Sequence, residues 1–264
     1  MRYKILCALF LAISSIAMAH EYVLIAYKWV LHIGENLELH LFVADGFNVE
    51  LERPFQKGIT KSYNLYNGST VRNLMNSAKD KTLPILDLKV DFKGQALITM
   101  ERNFANISLE NEKFLEYLKE DHLENITKIN TNKKAQAERY ARFIKCLVQS
   151  DRLVPDTLYK KIVNHRYEIQ LLDNPYDLKT GDILHARLFF DQKPFKNKVV
   201  TARNRVGNLE VQSQKLRTDE NGFFTIEISR KGDWIVHSTH MLPSINKTFD
   251  WDSFWVSYSF GIDG

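Results

Sequence analysis

The chain has 264 residues, with 36 basic and 32 acidic side chains and a formal charge of +4. Hydrophobic residues make up 44% of it, enough for one large core or two small ones. So near a balance of charge gives no basis for a nucleic-acid partner, and none is expected.

The amino terminus, MRYKILCALFLAISSIAMAHEYVL, has the layout of a cleaved secretory signal. Arg2 and Lys4 form its positive region, residues 5–16 its apolar run, and Ala17-Met18-Ala19 places small residues where a signal peptidase reads. The run is too short to span a bilayer, and no other segment is long and apolar enough. A mature protein of 20–264 is therefore expected outside the cytoplasm, soluble, with 34 basic against 32 acidic side chains. Cys7 leaves with the signal, so Cys146 has no partner for an internal disulfide. Its neighbours Phe143, Ile144, Leu147 and Val148 point to burial rather than reactivity.

Cleavage after Ala19 makes His20 the first residue, with an α-amine and an imidazole on one side. Two such nitrogens chelate a metal ion in a ring that no internal histidine can form, and the amine titrates near enough to neutrality to be displaced by metal. The alternative is that His20 comes first by accident.

From Glu21 the chain reads as strands. Residues 22–30 are apolar and aromatic. ENLELHLFV alternates, with Leu37, Leu39, Leu41 and Val43 on one face and Glu38, His40 and Phe42 on the other. ITKSYNLY runs into the Asn67-Gly68 turn, and LDLKVDF, Lys93-Gly94 and QALITM are expected to form a hairpin. The period then changes. A first helix is expected after Ser108, with acidic residues in its first turn and Phe114, Leu115, Leu118 and Leu123 on a stripe. A second is expected over AQAERYARFIKCLVQ, where Tyr140, Ile144, Leu147 and Val148 recur at helical spacing until Pro155. Strand signals resume at Tyr167 and continue through GDWIVHSTHM and SFWVSYSFGI to the end.

The fold class expected is mainly β, as two antiparallel β-sandwich-like domains: 20–155, with helices at about 109–149, and 165–264, with the boundary in 151–166.

The chain lacks a GxSxG elbow, a Walker loop, an HExxH helix and a dinucleotide fingerprint, which argues against a hydrolase or nucleotide enzyme. The metal-ligating candidates are histidines. In GDWIVHSTHM, Trp234, Val236, Ser238 and His240 share one strand face, while His237 and Thr239 take the other. His240 lies near the strand end and is the first choice after His20; His237 and His32 are weaker choices. Asp250 and Asp252, beside Trp251 and Trp255, either make turn hydrogen bonds or orient a ligating histidine from behind. Glu138, Arg139 and Arg142 form a solvated helix face or, with Tyr140, line a polar cleft.

Several phrases, in order along the chain, resemble the periplasmic DUF4198 proteins: the signal ending in Ala-His, FLEYLKEDHL, ERYARFIKCL, NPYDLKTGD, FFDQKPFKNKVV, TDENGFF, GDWIVHSTHM and WDSFWVSYSF. That family is described as similar to the periplasmic component of nickel or cobalt uptake systems, the NikM-like or NikK-like group. The resemblance implies a periplasmic protein whose carboxy-terminal module is of the transthyretin or carboxypeptidase-regulatory type. It also implies that His20 and His240 occupy recurring family positions.

Three functions are weighed. The first is binding of Ni²⁺, Co²⁺ or Cu²⁺ by His20 with one or two further imidazoles, for delivery to an inner-membrane transporter, without turnover; a nitrogen set suits these ions better than Ca²⁺ or Mg²⁺. The second is a carbohydrate- or protein-binding module using exposed aromatics such as Trp29, Tyr63 and Tyr66. The third is a copper-dependent oxidative enzyme using the amino-terminal histidine.

Overall fold

The computed structural model describes residues 21–262 except Gly46, Glu124 and Val154. The signal segment and His20 lie outside the described residues. In chain order the strands are β1 (Glu21–Ala26), β2 (Val30–Leu31), β3 (Asn36–Asp45), β4 (Asn48–Arg53), β5 (Thr60–Asn67), β6 (Thr70–Asn73), β7 (Leu86–Lys89) and β8 (Gly94–Glu110). The α-helix α1 (Asn111–Glu120) and the long strand β9 (Ala135–Ser150) follow. Then come β10 (Tyr167–Leu171), β11 (Ile183–Phe190), β12 (Lys193–Pro194), β13 (Val199–Arg205), β14 (Gln212–Arg217), β15 (Phe223–Glu227), β16 (Gly232–Pro243) and β17 (Trp251–Ile262).

The protein is mainly β and built in layers. A nine-stranded middle sheet runs in the order β14-β13-β16-β17-β9-β8-β5-β6, with β2 on the end of β9. A first outer sheet holds β1, β3, β4 and β7, and a second holds β10, β11, β12 and β15. Strand alternation decides which outer sheet each middle residue meets. Ala96, Ile98, Met100, Ile144, Cys146, Val148 and Ile235 join the core under the first outer sheet, here called the first face. Leu97, Phe143, Leu147, Val200, Val236, Phe254, Val256 and Tyr258 join the core under the second outer sheet, the second face. The middle sheet thus serves two sandwiches and takes strands from both sides of residues 151–166. Its seam is the parallel pairing of β17 with β9, Trp251 opposite Glu138 through Ser259 opposite Cys146.

Two sequence expectations are corrected. The second helix, over residues 135–149, is β9, which pairs with β8 and β17. Every residue from Ala141 to Ser150 is buried, because sheets cover both of the strand's faces. A strand buried on both faces reads as a near-continuous apolar run, and helical spacing can be found in it by chance. The hairpin expected between LDLKVDF and QALITM does not form either. β7 pairs with β3, Leu37 opposite Leu88, while β8 crosses to the middle sheet beside β5 and β9.

The first helix does form. Its Phe114, Tyr117 and Leu118 pack with Leu123 on Met241, Trp251 and Trp255 of the first face, covering the end of the sheet that the first outer sheet leaves open. Its start differs from expectation: Ser108 stays in β8, and Asn111 is the first helical residue.

Candidate functional site

The period-two reading of β16 holds in three dimensions. His240 and Ser238 project from the second face with Trp234 and Val236, and His237 and Thr239 from the first. The two histidines lie on opposite sides of the sheet and cannot share an ion.

His240 is 8% exposed, its ring edge-on to Phe195 at 4.7 Å and to Phe190 at 4.8 Å between centroids. Its Nδ1 is buried without a hydrogen-bond partner among the described residues. Burial, with Lys198 and Arg166 nearby, pushes its pKa down to about 3, so the ring is neutral. His237 faces the helix side, and its Nε2 lies 3.0 Å from Nη1 of Arg203. Beside it Thr239 donates to Asp121 at 2.9 Å. His32 is exposed, with Nδ1 2.8 Å from Asp151, a bond that raises its pKa. It sits beyond the far end of β9 from Glu138. The carboxylates of the Asp-Trp-Asp stretch bind cations and backbone: Asp250 accepts from Lys133 and from the Ala137 N–H, and Asp252 is bidentate to Arg139 at 2.6 and 2.7 Å. Among the described residues no group of three or more His, Cys, Asp or Glu side chains is placed to hold a metal ion. Cys146 is fully buried, and burial pushes its thiol up to about 12, so it is unreactive.

A different set of residues forms a buried polar cluster on the first face, near the start of β1. The Ser257 hydroxyl donates to the Tyr22 carbonyl at 2.8 Å and that of Ser259 to the Leu24 carbonyl, pinning β1 over β17. The Tyr22 ring lies on Arg142, 3.7 Å from centroid to Cζ, and Arg142 also meets Tyr140 at 4.3 Å and Trp255 at 5.9 Å. Desolvated cation–π contacts of this kind contribute up to about 2 kcal/mol each. Arg102 approaches the same Tyr22 ring at 5.0 Å and donates to Gln56.

On the same face, towards α1, lies Glu138, fully buried. Its Oε1 accepts from the Tyr117 hydroxyl at 3.2 Å and from Ser253, whose oxygen in turn takes the Trp255 indole N–H at 3.1 Å. Its Oε2 is buried and has no hydrogen-bond partner among the described residues. Glu138, Tyr140 and Arg142 are thus consecutive first-face residues of one strand, whereas Arg139 points to the second face. A helix would have put Tyr140 on the side away from Glu138 and Arg142; strand parity places all three on one face.

Burial raises the Glu138 carboxyl from 4.5 to about 7 against the opposing pull of Ser253, Tyr117 and Arg142. Folding therefore favours its protonated form, so this contribution is complete below about pH 4.5 and fades as pH rises towards 7. The span corresponds to something on the order of 3 kcal/mol. Glu138→Gln removes it. The metal-free Gln chain is expected to lose less stability than wild type between about pH 5 and about pH 8 in urea denaturation. Parallel stability curves for the two chains would show that no such shift exists.

Comparison with known proteins adds the following. The family model described as "Domain of unknown function (DUF4198)" matches residues 17–242. No curated protein matches the sequence. Among solved structures, the D0-D1 domain of Intimin is similar at 14% identity and a TM-score of 0.21, covering 90% of this chain and 96% of that one. A marsupial T cell receptor is similar at 11% identity and a TM-score of 0.23, covering 92% of this chain and 72% of that one.

Proposed function

The chain belongs to the DUF4198 family, and we propose that it is an extracytoplasmic protein that captures Ni²⁺, Co²⁺ or Cu²⁺ at its processed amino terminus for delivery to an inner-membrane transporter. The resemblance of its motifs to periplasmic components of nickel and cobalt uptake systems agrees with this reading. The observation that carries it is the anchoring of β1. The strand begins at Glu21, one residue after the histidine that signal cleavage would free, and Tyr22 is already fixed by Ser257 and Arg142. An amine and an imidazole on one residue close a chelate ring that no internal histidine can form.

In this reading His240 takes no part, since it projects from the opposite face of the middle sheet. His237 is on the right face, but its Nε2 is engaged with Arg203.

The test compares the chain beginning at His20 with one carrying an extra alanine in front, by calorimetric titration with each of the three ions. A loss of about a hundredfold or more in affinity on extension, some 2.7 kcal/mol, is expected. Equal and weak binding by both chains would overturn the proposal; the recognition-module reading would not simply replace it, because Trp29 and Tyr63, two of the aromatics it expected to be exposed, are buried.

A further inference from the structure

We infer that Arg102, with Arg142 and Arg53 around it, forms a binding site for a small oxyanion, a phosphate or a carboxylate group, on the first face of the middle sheet. Such a site requires no metal and does not depend on the processed terminus.

Strand pairing concentrates the charge. Arg102 of β8 lies directly opposite Arg142 of β9, and the two are 4% and 7% exposed. Like charges facing each other across a strand pair are unfavourable, and buried ones more so unless an anion offsets them. The two guanidinium groups share one ring: Tyr22 has its centroid 5.0 Å from Cζ of Arg102 and 3.7 Å from that of Arg142. A ring face attracts a cation but offers no lone pair, so each buried N–H still requires an acceptor. Arg102 is only half supplied. Its Nη2 donates to the neutral amide of Gln56 at 2.7 Å, while Nη1 is buried without a hydrogen-bond partner among the described residues. The Nε of Arg53 is buried in the same condition. The groups acting on the Arg102 charge are Tyr22, Arg142, Tyr140 and Arg53; two are cations and none is a carboxylate. Burial brings its pKa down only to about 10, so it stays charged at neutral pH. Glu138 is on the same face, but its charge acts on Arg142, and its hydrogen bonds come from Tyr117 and Ser253. The planar N–H fork of arginine matches the oxygens of phosphate and of carboxylate alike, and that shared chemistry is what the cluster recognises.

The experiment titrates sodium phosphate and, separately, sodium succinate into the processed protein by calorimetry, without added metal and with ionic strength held constant by sodium chloride. Saturable binding of one or both is expected, phosphate alone identifying a phosphate ligand and succinate alone a carboxylate. Arg102→Gln, shown to be folded by its thermal melt, is expected to bind on the order of tenfold to a hundredfold more weakly. Absence of saturable binding by either anion overturns the inference. So does equal affinity in the folded Gln form, which would place the anion elsewhere on the protein. If the Gln form does not melt cooperatively, Arg102→Lys decides: it keeps the charge and lacks the fork, so affinity is expected to fall about tenfold, and unchanged affinity overturns the inference.

Discussion

Replacing Lys145 by methionine is expected to cost about 3–5 kcal/mol of unfolding free energy, the usual consequence of removing one partner from a buried ion pair. Lys145 projects from β9 into the second-face core, where it and Glu168 of β10 are 1% and 2% exposed and 2.5 Å apart. The ammonium also donates to the carbonyls of Lys161 at 2.9 Å and Ile169 at 3.0 Å. Glu168 receives the N–H groups of Val163 at 2.7 Å and His165 at 3.0 Å. One charge pair thus ties the middle sheet to β10 and to the chain leading into it. Burial lowers the pKa of Lys145, and Glu168 opposes that shift. Methionine fills the space yet leaves Glu168 buried with two donors and no counter-ion. Urea denaturation measures the loss. Adding Glu168→Gln to Lys145→Met is expected to recover part of it by removing the orphaned charge, as a double-mutant cycle would record. A single-variant cost below about 1 kcal/mol would show that solvent reaches the pair.

Gly261→Ala is expected to destabilise the fold by about 3 kcal/mol, at the upper end for overpacking. Gly261 lies on the first face of β17 opposite Asp233, and a β-carbon there would fall inside the indole of Trp29. The backbone at Gly261 is held by β16 through Asp233 and, two residues earlier at Ser259, by β9. Trp29 is itself 7% exposed and donates its indole N–H to Asp233 at 2.7 Å. Making room means expelling that ring and breaking that bond. Trp29→Ala alone is expected to cost about 3–5 kcal/mol through the cavity it leaves. The double variant should cost clearly less than the sum, since each change removes the reason the other is harmful. Additive costs, read from denaturation midpoints, would show that the ring and the glycine are not in contact in solution.

Local alternation was legible wherever one face of a strand is more polar than the other. In β3 the buried set Leu37, Leu39, Leu41 and Val43 follows from the letters alone, as does the placing of His40 with Glu38 and Phe42 on the other face. The same rule separated His237 from His240 before any coordinates. It failed at β9, where polar residues are buried too: Glu138, Arg142 and Lys145 are all under 9% exposed. With no solvent face, the sequence carries no contrast by which to tell period two from period 3.6. That single misassignment also hid the cluster. Read as a helix, residues 138–142 have Glu138 and Arg142 on one side with their charges in water; read as a strand, they put Glu138, Tyr140 and Arg142 on the first face, Arg142 against Tyr22 and Glu138 against Tyr117 and Ser253.

The sequence by itself determined the predominance of strands, the helix α1, the face on which most side chains lie and the burial of Cys146, because these depend on neighbours within a few residues. Tertiary structure decided that β7 pairs with β3 rather than with β8, that β17 joins β9 in parallel, and that one middle sheet serves both sandwiches. Backbone hydrogen bonds are chemically alike at every residue, so strand partners across a hundred residues are chosen by which faces can be buried together, a property of the assembled layers and of no single segment.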